Sequence, residues 1–460
     1  MKILQVVHQF PPMSTTGTEI VTYNLSRELA KTHEVHVLYP LVKKGVSHCH
    51  LNSFQDKTAK IEIHELILES DLRNHLTRLL KFDLLSLSYG TKKIQNQFEE
   101  LLNKIKPDIV TFQHLMGLSV YLPQIAKKHS RVVLVLNDYW LVCPTTHFLN
   151  SNGKICRGYN PRNCWICLSK EWSTSIQELL TDIANKITGN NLEEPLKINT
   201  YILRKVCESY GVKKIVDRAT TIKRVIGYAD RIISPSELII KKFTENRFLN
   251  NEQHKEGHIA IIGHGVDTSK LNTVVKTPSN KIRFGYIGRA SERKGLHILI
   301  DAFKKLENKD AELRIYGSTL SSSIDYQKSI LEKTKNNPKI KVFGRFENTS
   351  DPYYNIDILV IPSITYEGYG LVVQEAFACK TPVIASDIGA LNEFVKNMVN
   401  GLLFRVGNIN DLHKKMLSIV ENPQILNYFE NNIPDVKSIE QNAKEIEKLY
   451  EKTLSKNTIG

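Results

Sequence analysis

The fold is decided by the stretch IRFGYIGRASERKGLHILIDAFKKL, residues 282–306. Its first six residues have the apolar character of a buried strand, and Gly288 follows them directly. After Gly295, apolar residues recur every three or four positions and form one helical face: Leu296, Leu299, Ile300, Phe303 and Leu306. A strand that leads into a helix in this way is typical of an α/β domain with a parallel sheet.

The same alternation continues on both sides of this stretch. Toward the C-terminus it predicts a charged helix at about 436–455 and strands at 312–317, 340–344, 357–362, 382–386 and 402–405. Toward the N-terminus it predicts a helix with one apolar stripe (Val21, Leu25, Leu29) and strands at 3–8, 34–38, 108–112 and 131–136.

Two doubly wound Rossmann-like domains are therefore expected, with ligands bound at the carboxyl ends of the strands. The polar, loop-like residues 246–281 place the boundary between the domains near 270–281. The predicted parts are an N-terminal domain (1–270) with a cysteine loop (143–167) and a helical insertion (171–225), a C-terminal domain (281–435) and a helix (436–460) that packs back toward the N-terminal domain.

The composition fits a folded globular protein, since 41% of the 460 residues are apolar and 24% are charged. The formal net charge of +14 favours anionic partners such as phosphates, nucleic acid or an acidic membrane, or serves solubility alone. No basic stripe with interleaved aromatic residues is found, so nucleic acid is not an expected partner.

The sequence predicts a cytoplasmic location. No apolar run is long enough to cross a bilayer, and the first apolar residues are interrupted by Gln5 and His8, unlike a signal peptide. A peripheral contact with the inner face of the membrane is one expectation for the basic side chains of the N-terminal half, and a solvated helix face is the other: Arg73, Arg78, Lys81, Lys92 and Lys93.

Two cations stand at the end of the strand that opens the C-terminal domain. Arg289 follows Gly288, and Lys294 precedes Gly295, so both are expected at the rim of the crevice. A guanidinium fork and an ammonium group suit a diphosphate. A solvated basic loop would explain the same two residues equally well.

A glycine-rich run with an acid at either end, residues 367–375, follows a later strand. A helix is expected to start near Gly370, so that its free N–H groups face an anion. Glu367 lies in the loop and Glu375 about one turn inside the helix, so both can accept hydrogen bonds from hydroxyl groups beside a diphosphate.

Two further segments are less informative. Residues 381–390 read as a buried strand and a tight turn, which a purely structural role explains. Arg345 follows Gly344 at the end of the strand at 340–344 and is a candidate for lining the pocket of a nucleotide base.

The ordered series of these segments resembles the large retaining glycosyltransferase family 4, with the GT-B fold of two Rossmann-like domains facing each other across a cleft. The resemblance covers nearly all of residues 282–405 and departs from the family at Ala390, where a second glycine is usual. It implies that Arg289 and Lys294 bind the donor diphosphate, and that Glu367 contacts the donor sugar. It also implies that Glu375 binds the ribose, with the phosphates held by the backbone of Gly370 and Leu371.

The N-terminal half offers fewer candidates. The resemblance makes the loop at Gly17 a partner of the donor phosphates, although the usual pair of glycines is reduced to one. His114 and Asp138 each follow a predicted strand and are candidate contacts of the sugar or acceptor. A packed loop histidine would explain His114 as well. Asn137 stands where many relatives have histidine.

The expected reaction is transfer of a hexose-type sugar from a UDP or GDP sugar, with retention of configuration, to a glycan or lipid-linked acceptor in surface polysaccharide synthesis. The residues expected to act in catalysis are Arg289, Lys294 and Glu367, because charge develops on the leaving diphosphate. No Asp-x-Asp motif is present, so no catalytic metal ion is expected.

Four of the seven cysteines are clustered as C-x12-C-x7-C-x2-C: Cys143, Cys156, Cys164 and Cys167. Four thiolates can hold a structural zinc ion or an iron–sulfur cluster. Free thiols or local disulfides are the alternatives.

Two other function classes are compatible with parts of the sequence. One is a nucleotide-sugar epimerase or phosphorylase of the same fold. The other is a non-enzymatic protein that binds metal and nucleic acid, which would leave Glu367, Glu375 and the glycine run unexplained.

Overall fold

The computed structural model describes residues 1–43, 45–46, 48–69, 91–150, 152–169, 200–249, 257–306, 309–318 and 324–455. The chain forms two compact units: Met1–Ile262 together with Ala443–Gly460, and Gly263–Asn442. In the described ranges, no helix has both the length and the apolar character that a bilayer crossing requires.

The first unit is built on an eight-stranded sheet in the order β3-β4-β2-β1-β5-β6-β7-β8. All neighbouring strands are parallel except β3 and β4. The chain leaves β1 toward β2 on one side and returns to β5 on the other, so the order reverses between β1 and β5. The strands are β1 (Lys2–Val6), β2 (Glu34–Lys43), β3 (His50–Asp56), β4 (Ile61–Glu69), β5 (Ile109–Phe112), β6 (Arg131–Val135), β7 (Arg231–Ser234) and β8 (Ile259–Ile261).

Helices cover this sheet with apolar faces. The predicted stripe of the first helix is confirmed, since Val21, Leu25 and Leu29 are all buried. The second helix begins where the Thr91 hydroxyl oxygen accepts a hydrogen bond from the Ile94 N–H at 3.3 Å. The helices are α1 (Gly17–Leu29), α2 (Lys92–Ile105), α3 (Leu122–Ala126), α4 (Pro161–Ser169), α5 (Thr200–Ile226) and α6 (Glu237–Glu245).

The second unit contains a six-stranded, fully parallel sheet in the order β11-β10-β9-β12-β13-β14. This is a doubly wound Rossmann arrangement, and its order reverses between β9 and β12. The predicted strands of this unit are confirmed within one or two residues at each end. They are β9 (Ile282–Ile287), β10 (Ala311–Tyr316), β11 (Ile340–Gly344), β12 (Ile358–Ile361), β13 (Val383–Ser386) and β14 (Gly401–Phe404).

The apolar face predicted after Gly295 is confirmed, because all five of its residues are buried in the core of this unit. The last helix runs on into the residues assigned to the first unit, where the Tyr450 hydroxyl lies 2.7 Å from the Thr111 hydroxyl. The helices are α7 (Thr268–Leu271), α8 (Leu296–Lys304), α9 (Ile324–Thr334), α10 (Leu371–Ala378), α11 (Leu391–Phe394), α12 (Ile409–Glu421), α13 (Ile425–Asn431) and α14 (Ile439–Ser455).

Some predicted features have a different extent in the structure. The two units divide at Ile262 and Gly263, whereas the sequence places the boundary near 270–281. Of the predicted helical insertion, α5 is described, and residues 171–199 lie outside the described ranges. The same holds for Arg73, Arg78 and Lys81, while Lys92 and Lys93 are exposed at the start of α2.

Candidate functional site

The turn after β9 is held against the end of β12 by a glycine. Gly295 has φ +68°, and a Cβ atom there would lie 1.9 Å from the backbone oxygen of Pro362. Only glycine fits so close an approach. The Ile364 N–H also donates to the Arg293 oxygen at 2.9 Å. The carboxyl ends of β9 and β12 are thus joined at the point where the strand order reverses, which is where doubly wound sheets bind ligands.

Lys294 and Glu367 meet at this point. The Lys294 ammonium donates to both carboxylate oxygens of Glu367, with Nζ–Oε1 and Nζ–Oε2 distances of 2.7 and 2.9 Å. The hydroxyl of Ser363, which is fully buried, donates to the same carboxylate at 2.5 Å. The Lys294 side chain is 41% exposed and that of Glu367 is 17% exposed. A ligand can therefore reach the ammonium group, while Ser363 holds the carboxylate in place.

The turn after β13 closes the other side of Glu367. Gly389 has φ +72°, and a Cβ atom there would lie 2.8 Å from the Glu367 nitrogen. The Ala390 N–H donates to the Glu367 oxygen at 3.1 Å. From the sequence, a structural role alone explains residues 381–390. In the structure, the turn in this segment also holds the backbone of Glu367, a candidate catalytic residue.

Helix α10 begins directly after Gly370, which has φ +79°. Its first N–H groups, starting at Leu371, form the positive end of the helix dipole. Glu375 lies on this helix and is half-buried. Burial raises the pKa of the Glu375 carboxyl from 4.5 to about 8. This carboxyl is therefore mostly protonated at neutral pH.

The carboxyl ends of β9, β10 and β11 approach each other through glycines. A Cβ atom on Gly317 would lie 2.0 Å from the backbone oxygen of Gly288, and the Gly317 N–H donates to the backbone oxygen of Gly344 at 2.6 Å. Arg289 is exposed after β9, and Tyr286 donates to its backbone oxygen at 2.8 Å. Arg345 is exposed two strands away, after β11. The structure thus brings Lys294 and Glu367 into contact, three residues before Gly370, and leaves Arg289 and Arg345 exposed at the ends of β9 and β11.

Two neighbours of this site were not assigned from the sequence. The first is Ser363, which contacts Glu367. The second is Arg293: burial and the nearby Arg289 lower the pKa of its guanidinium, and the negative charge of Glu367 partly offsets this decrease. Arg293 directly precedes the predicted cation Lys294, and Ser363 directly follows the predicted strand at 357–362, but their contacts arise only when β9 and β12 pair.

A second cluster lies where the strand order of the first sheet reverses. His8 follows β1 and His114 follows β5, and their rings lie 4.3 Å apart. The Nε2 atom of His114 lies 3.2 Å from Oδ2 of Asp138, which follows β6. A small open cavity beside this pair is lined by Gln113, His114, Asn137, Asp138 and Trp140. The structure therefore brings the two predicted residues of this unit, His114 and Asp138, into contact.

Glu19 of α1 belongs to the same cluster and contacts His8. Its buried carboxylate lies 3.3 Å from Nε2 of His8 and accepts hydrogen bonds from the hydroxyls of Ser14, at 3.2 Å, and Thr16. Gly17 is exposed as the first residue of the helix. Burial, and then the neighbouring His114, lower the pKa of His8 to about 3, so this ring is neutral near pH 7.

The four clustered cysteines lie near one another as free thiols. Burial, together with Cys143, Cys156 and Cys167, raises the pKa of the Cys164 thiol to about 12. The other three sulfur atoms contact oxygen atoms of Thr145, Gly158 and Leu149 at 3.2, 3.4 and 3.4 Å. Within the described residues, no three histidine, cysteine or acidic side chains are arranged to hold a metal ion. The zinc or iron–sulfur site stays a prediction.

Comparison with known proteins points to one family. Residues 267–436 match the family described as Glycosyl transferases group 1. An uncharacterized glycosyltransferase of Methanocaldococcus jannaschii is 31% identical over 226 residues, which cover 48% of this chain and 56% of the relative. The capsular polysaccharide biosynthesis glycosyltransferase CapM of Staphylococcus aureus is 24% identical over 202 residues, 41% of this chain and 53% of the relative. The chain thus spans about half the length of these relatives.

A solved structure extends the likeness in fold to the whole chain. HepE of Anabaena, in complex with UDP and glucose, aligns over 98% of this chain and 99% of its own with a TM-score of 0.59 and 16% identity. The predicted α/β class with two Rossmann-like domains is confirmed. The chain therefore has the GT-B fold, and its residues 267–436 are similar to the family Glycosyl transferases group 1.

Proposed function

We propose that this protein is a retaining glycosyltransferase that moves a hexose-type sugar from a UDP or GDP sugar to a glycan or lipid-linked acceptor. The observation that supports this most is the contact of Lys294 and Ser363 with Glu367, next to the start of α10. It combines a cation for a diphosphate with an acid for a sugar hydroxyl at the strand reversal of the second sheet.

The donor diphosphate would bind between the cations and the helix. Lys294 is exposed enough to share its ammonium group between Glu367 and a phosphate oxygen, and Arg289 adds a guanidinium from the end of the same strand. The N–H groups at Gly370 and Leu371 would donate to the other phosphate oxygens. Arg345 is a proposed contact of the base, and Gly17 of the first unit is a proposed contact of the phosphates.

The two acids would take different hydroxyl groups of the donor. Glu367 is held as a hydrogen-bond acceptor by Lys294 and Ser363, which suits a hydroxyl of the transferred sugar. Glu375 lies farther along α10 and suits the ribose hydroxyls. Because its carboxyl is protonated without ligand, binding of the ribose to the carboxylate would release a proton.

In the proposed reaction, the bond between the anomeric carbon and the diphosphate oxygen breaks first. The acceptor oxygen forms the new bond on the same face, and its proton passes to the leaving phosphate. Lys294, Arg289 and the α10 dipole stabilise the charge that grows on the diphosphate. We propose no catalytic metal ion in this step.

We place the reaction in surface polysaccharide synthesis, in the cytoplasm at the inner face of the membrane. The name of CapM, a capsular polysaccharide biosynthesis glycosyltransferase, supports the setting, and the UDP and glucose bound to HepE support the donor class. The exposed Lys92 and Lys93 of α2 are a proposed contact with anionic lipids. In the first unit, the candidate contact of the sugar or acceptor is the pair His114 and Asp138, which touch each other at 3.2 Å.

A panel of UDP and GDP sugars tests the proposal. The protein is incubated with each sugar, with and without lipid-linked glycans and with EDTA, and released UDP or GDP is measured. We expect acceptor-dependent release from at least one sugar and an α-linked product from an α-linked donor. A C2-epimerised sugar, or release that needs inorganic phosphate, would instead support the epimerase or phosphorylase class.

Two variants connect the activity to the site. Lys294→Ala and Glu367→Gln should each lower kcat/KM at least about 100-fold, since each removes a contact that is strongest in the transition state. The matched control is Lys309→Ala, because Lys309 also forms an ion pair in this unit, 3.0 Å from Glu421, but at an exposed site. Equal activity of all three variants would refute the assignment.

A further inference from the structure

Both ring nitrogens of His114 are already engaged inside the first unit. The Nδ1 atom accepts a hydrogen bond from the Met116 N–H at 3.1 Å. The Nε2 atom faces the Asp138 carboxylate at 3.2 Å. These contacts assign the proton to Nε2, which donates to Asp138. A sugar hydroxyl could bind His114 only if one of these two bonds broke.

Asp138, in contrast, is oriented and still accessible. Its Oδ2 accepts from His114, and its Oδ1 accepts from the Trp140 N–H at 2.8 Å. The Asp138 side chain is 38% exposed, while that of His114 is only 5% exposed. Because each carboxylate oxygen has a second lone pair, Asp138 can accept a further hydrogen bond from a ligand.

Two buried acceptor atoms next to Asp138 and His114 have no donor among the residues that the structure describes. Asn137 donates to the backbone and side-chain oxygens of Gln113 at 2.8 and 3.1 Å, and its own buried Oδ1 has no donor within the described part of the chain. The buried Nδ1 of His8 is likewise without a partner there. Such a set suits a ligand that supplies O–H donors and disfavours a phosphate.

We propose that Asp138 binds a hydroxyl group of a neutral carbohydrate, and that His114 is a positioning residue that acts through Asp138. This inference rests on the proposed function and names the chemistry of its substrate contact in the first unit. His114 donates to one carboxylate oxygen and the Trp140 N–H to the other, so the carboxylate plane is fixed before the ligand arrives.

Among the described residues, charged and titratable groups near this pair come from the end of β1, from α1 and from α5. The His8 ring, at the end of β1, lies 4.3 Å from the His114 ring and is tilted by 44° to it, and Glu19 of α1 lies 3.3 Å from Nε2 of His8. Arg218 of α5 lies over the Trp140 ring and donates to the Trp140 backbone oxygen. Burial opposes ionisation of Asp138, but His114 and the Trp140 N–H outweigh it and lower the pKa of this carboxyl.

A double-mutant cycle tests whether His114 acts on the substrate through Asp138. The kcat/KM values of wild type, His114→Ala, Asp138→Asn and the double variant are compared. We expect losses of about 10-fold or more for His114→Ala and about 100-fold or more for Asp138→Asn. The double variant should match Asp138→Asn within about twofold, and losses that multiply would overturn the proposal. His129→Ala is the matched control, because His129 also faces a carboxylate, Glu99, at 3.5 Å.

A second readout does not need turnover. Nitrogen-15 NMR of the histidine rings should show His114 with its proton on Nε2 in the wild type, and a changed Nε2 signal in Asp138→Asn. A proton on Nδ1, or identical signals in the two proteins, would overturn the proposal. If no nucleotide sugar is turned over, the proposed function fails, and this measurement still decides the geometry.

Discussion

Replacing Glu375 by glutamine should stabilise the protein at neutral and alkaline pH. Burial raises the pKa of this carboxyl from 4.5 to about 8, so the folded protein binds the proton more tightly than the unfolded chain. The contribution of Glu375 to the free energy of unfolding is therefore constant below pH 4.5, decreases as the pH rises from 4.5 to about 8, and is constant again above pH 8. Glutamine keeps the shape of the protonated acid and does not ionise.

The size of the effect follows from the two pKa values. Each pH unit between them corresponds to about 1.4 kcal/mol. The advantage of Glu375→Gln should reach at most about 3–4 kcal/mol at pH 7 and about 5 kcal/mol well above pH 8, and water that reaches the half-buried side chain reduces it. Urea unfolding of both proteins at pH 5, 7 and 9 measures it. Equal stability differences at all three pH values would refute the reasoning.

The same carboxyl links pH to binding of the donor nucleotide. At pH 7 about nine tenths of it is protonated, so binding of the ribose to the carboxylate should release up to about 0.9 proton. Calorimetry with UDP and GDP in buffers of different ionisation enthalpy measures this release. The Kd of wild type should fall about tenfold from pH 7 to pH 9, and that of Glu375→Gln should not. A release that survives this substitution would contradict the assignment.

Two further predictions concern the turn at Gly295 and the cysteine cluster. Gly295→Ala should lower the free energy of unfolding by at least about 2 kcal/mol more than Gly407→Ala. Both glycines have positive φ, but only a Cβ atom at Gly295 would clash with the backbone, 1.9 Å from the Pro362 oxygen. Equal losses in urea unfolding would contradict this. The Cys164 thiol, with a pKa of about 12, should carry about a thousandth of the thiolate of an ordinary cysteine at pH 8. Mass spectrometry after brief alkylation in EDTA should find it unmodified, and labelling as fast as free cysteine would count against its burial.

The strands and the apolar helix faces of the second unit were predictable because their patterns are strong. A parallel strand buried on both faces reads as a short apolar run, and α8 repeats its apolar residues at helical spacing. Strands β3 and β4 were not predicted. Much of β3 is exposed at the edge of its sheet and lacks a clear pattern. Of helix α2, only a solvated face at Lys92 and Lys93 is among the expectations from the sequence, although the apolar stripe formed by residues such as Ile94, Phe98 and Leu102 also predicts its extent.

The contacts within the sites depend on which strands are neighbours. Ser363 and Lys294 are far apart in sequence and meet at Glu367 only because β9 pairs with β12. In the same way, His114 and Asp138 meet because β5 pairs with β6. The sequence indicated that these residues follow strands, but not the order of the strands. The burial of Glu375 depends on packing around α10, which no local pattern encodes.

A structure of the protein with bound UDP or GDP tests the central claim most directly. We expect the diphosphate within about 3 Å of the Lys294 ammonium and of the first N–H groups of α10, with the ribose hydroxyls on Glu375. A nucleotide bound away from the carboxyl ends of β9 and β12, with Lys294 still held only by Glu367, would contradict the account.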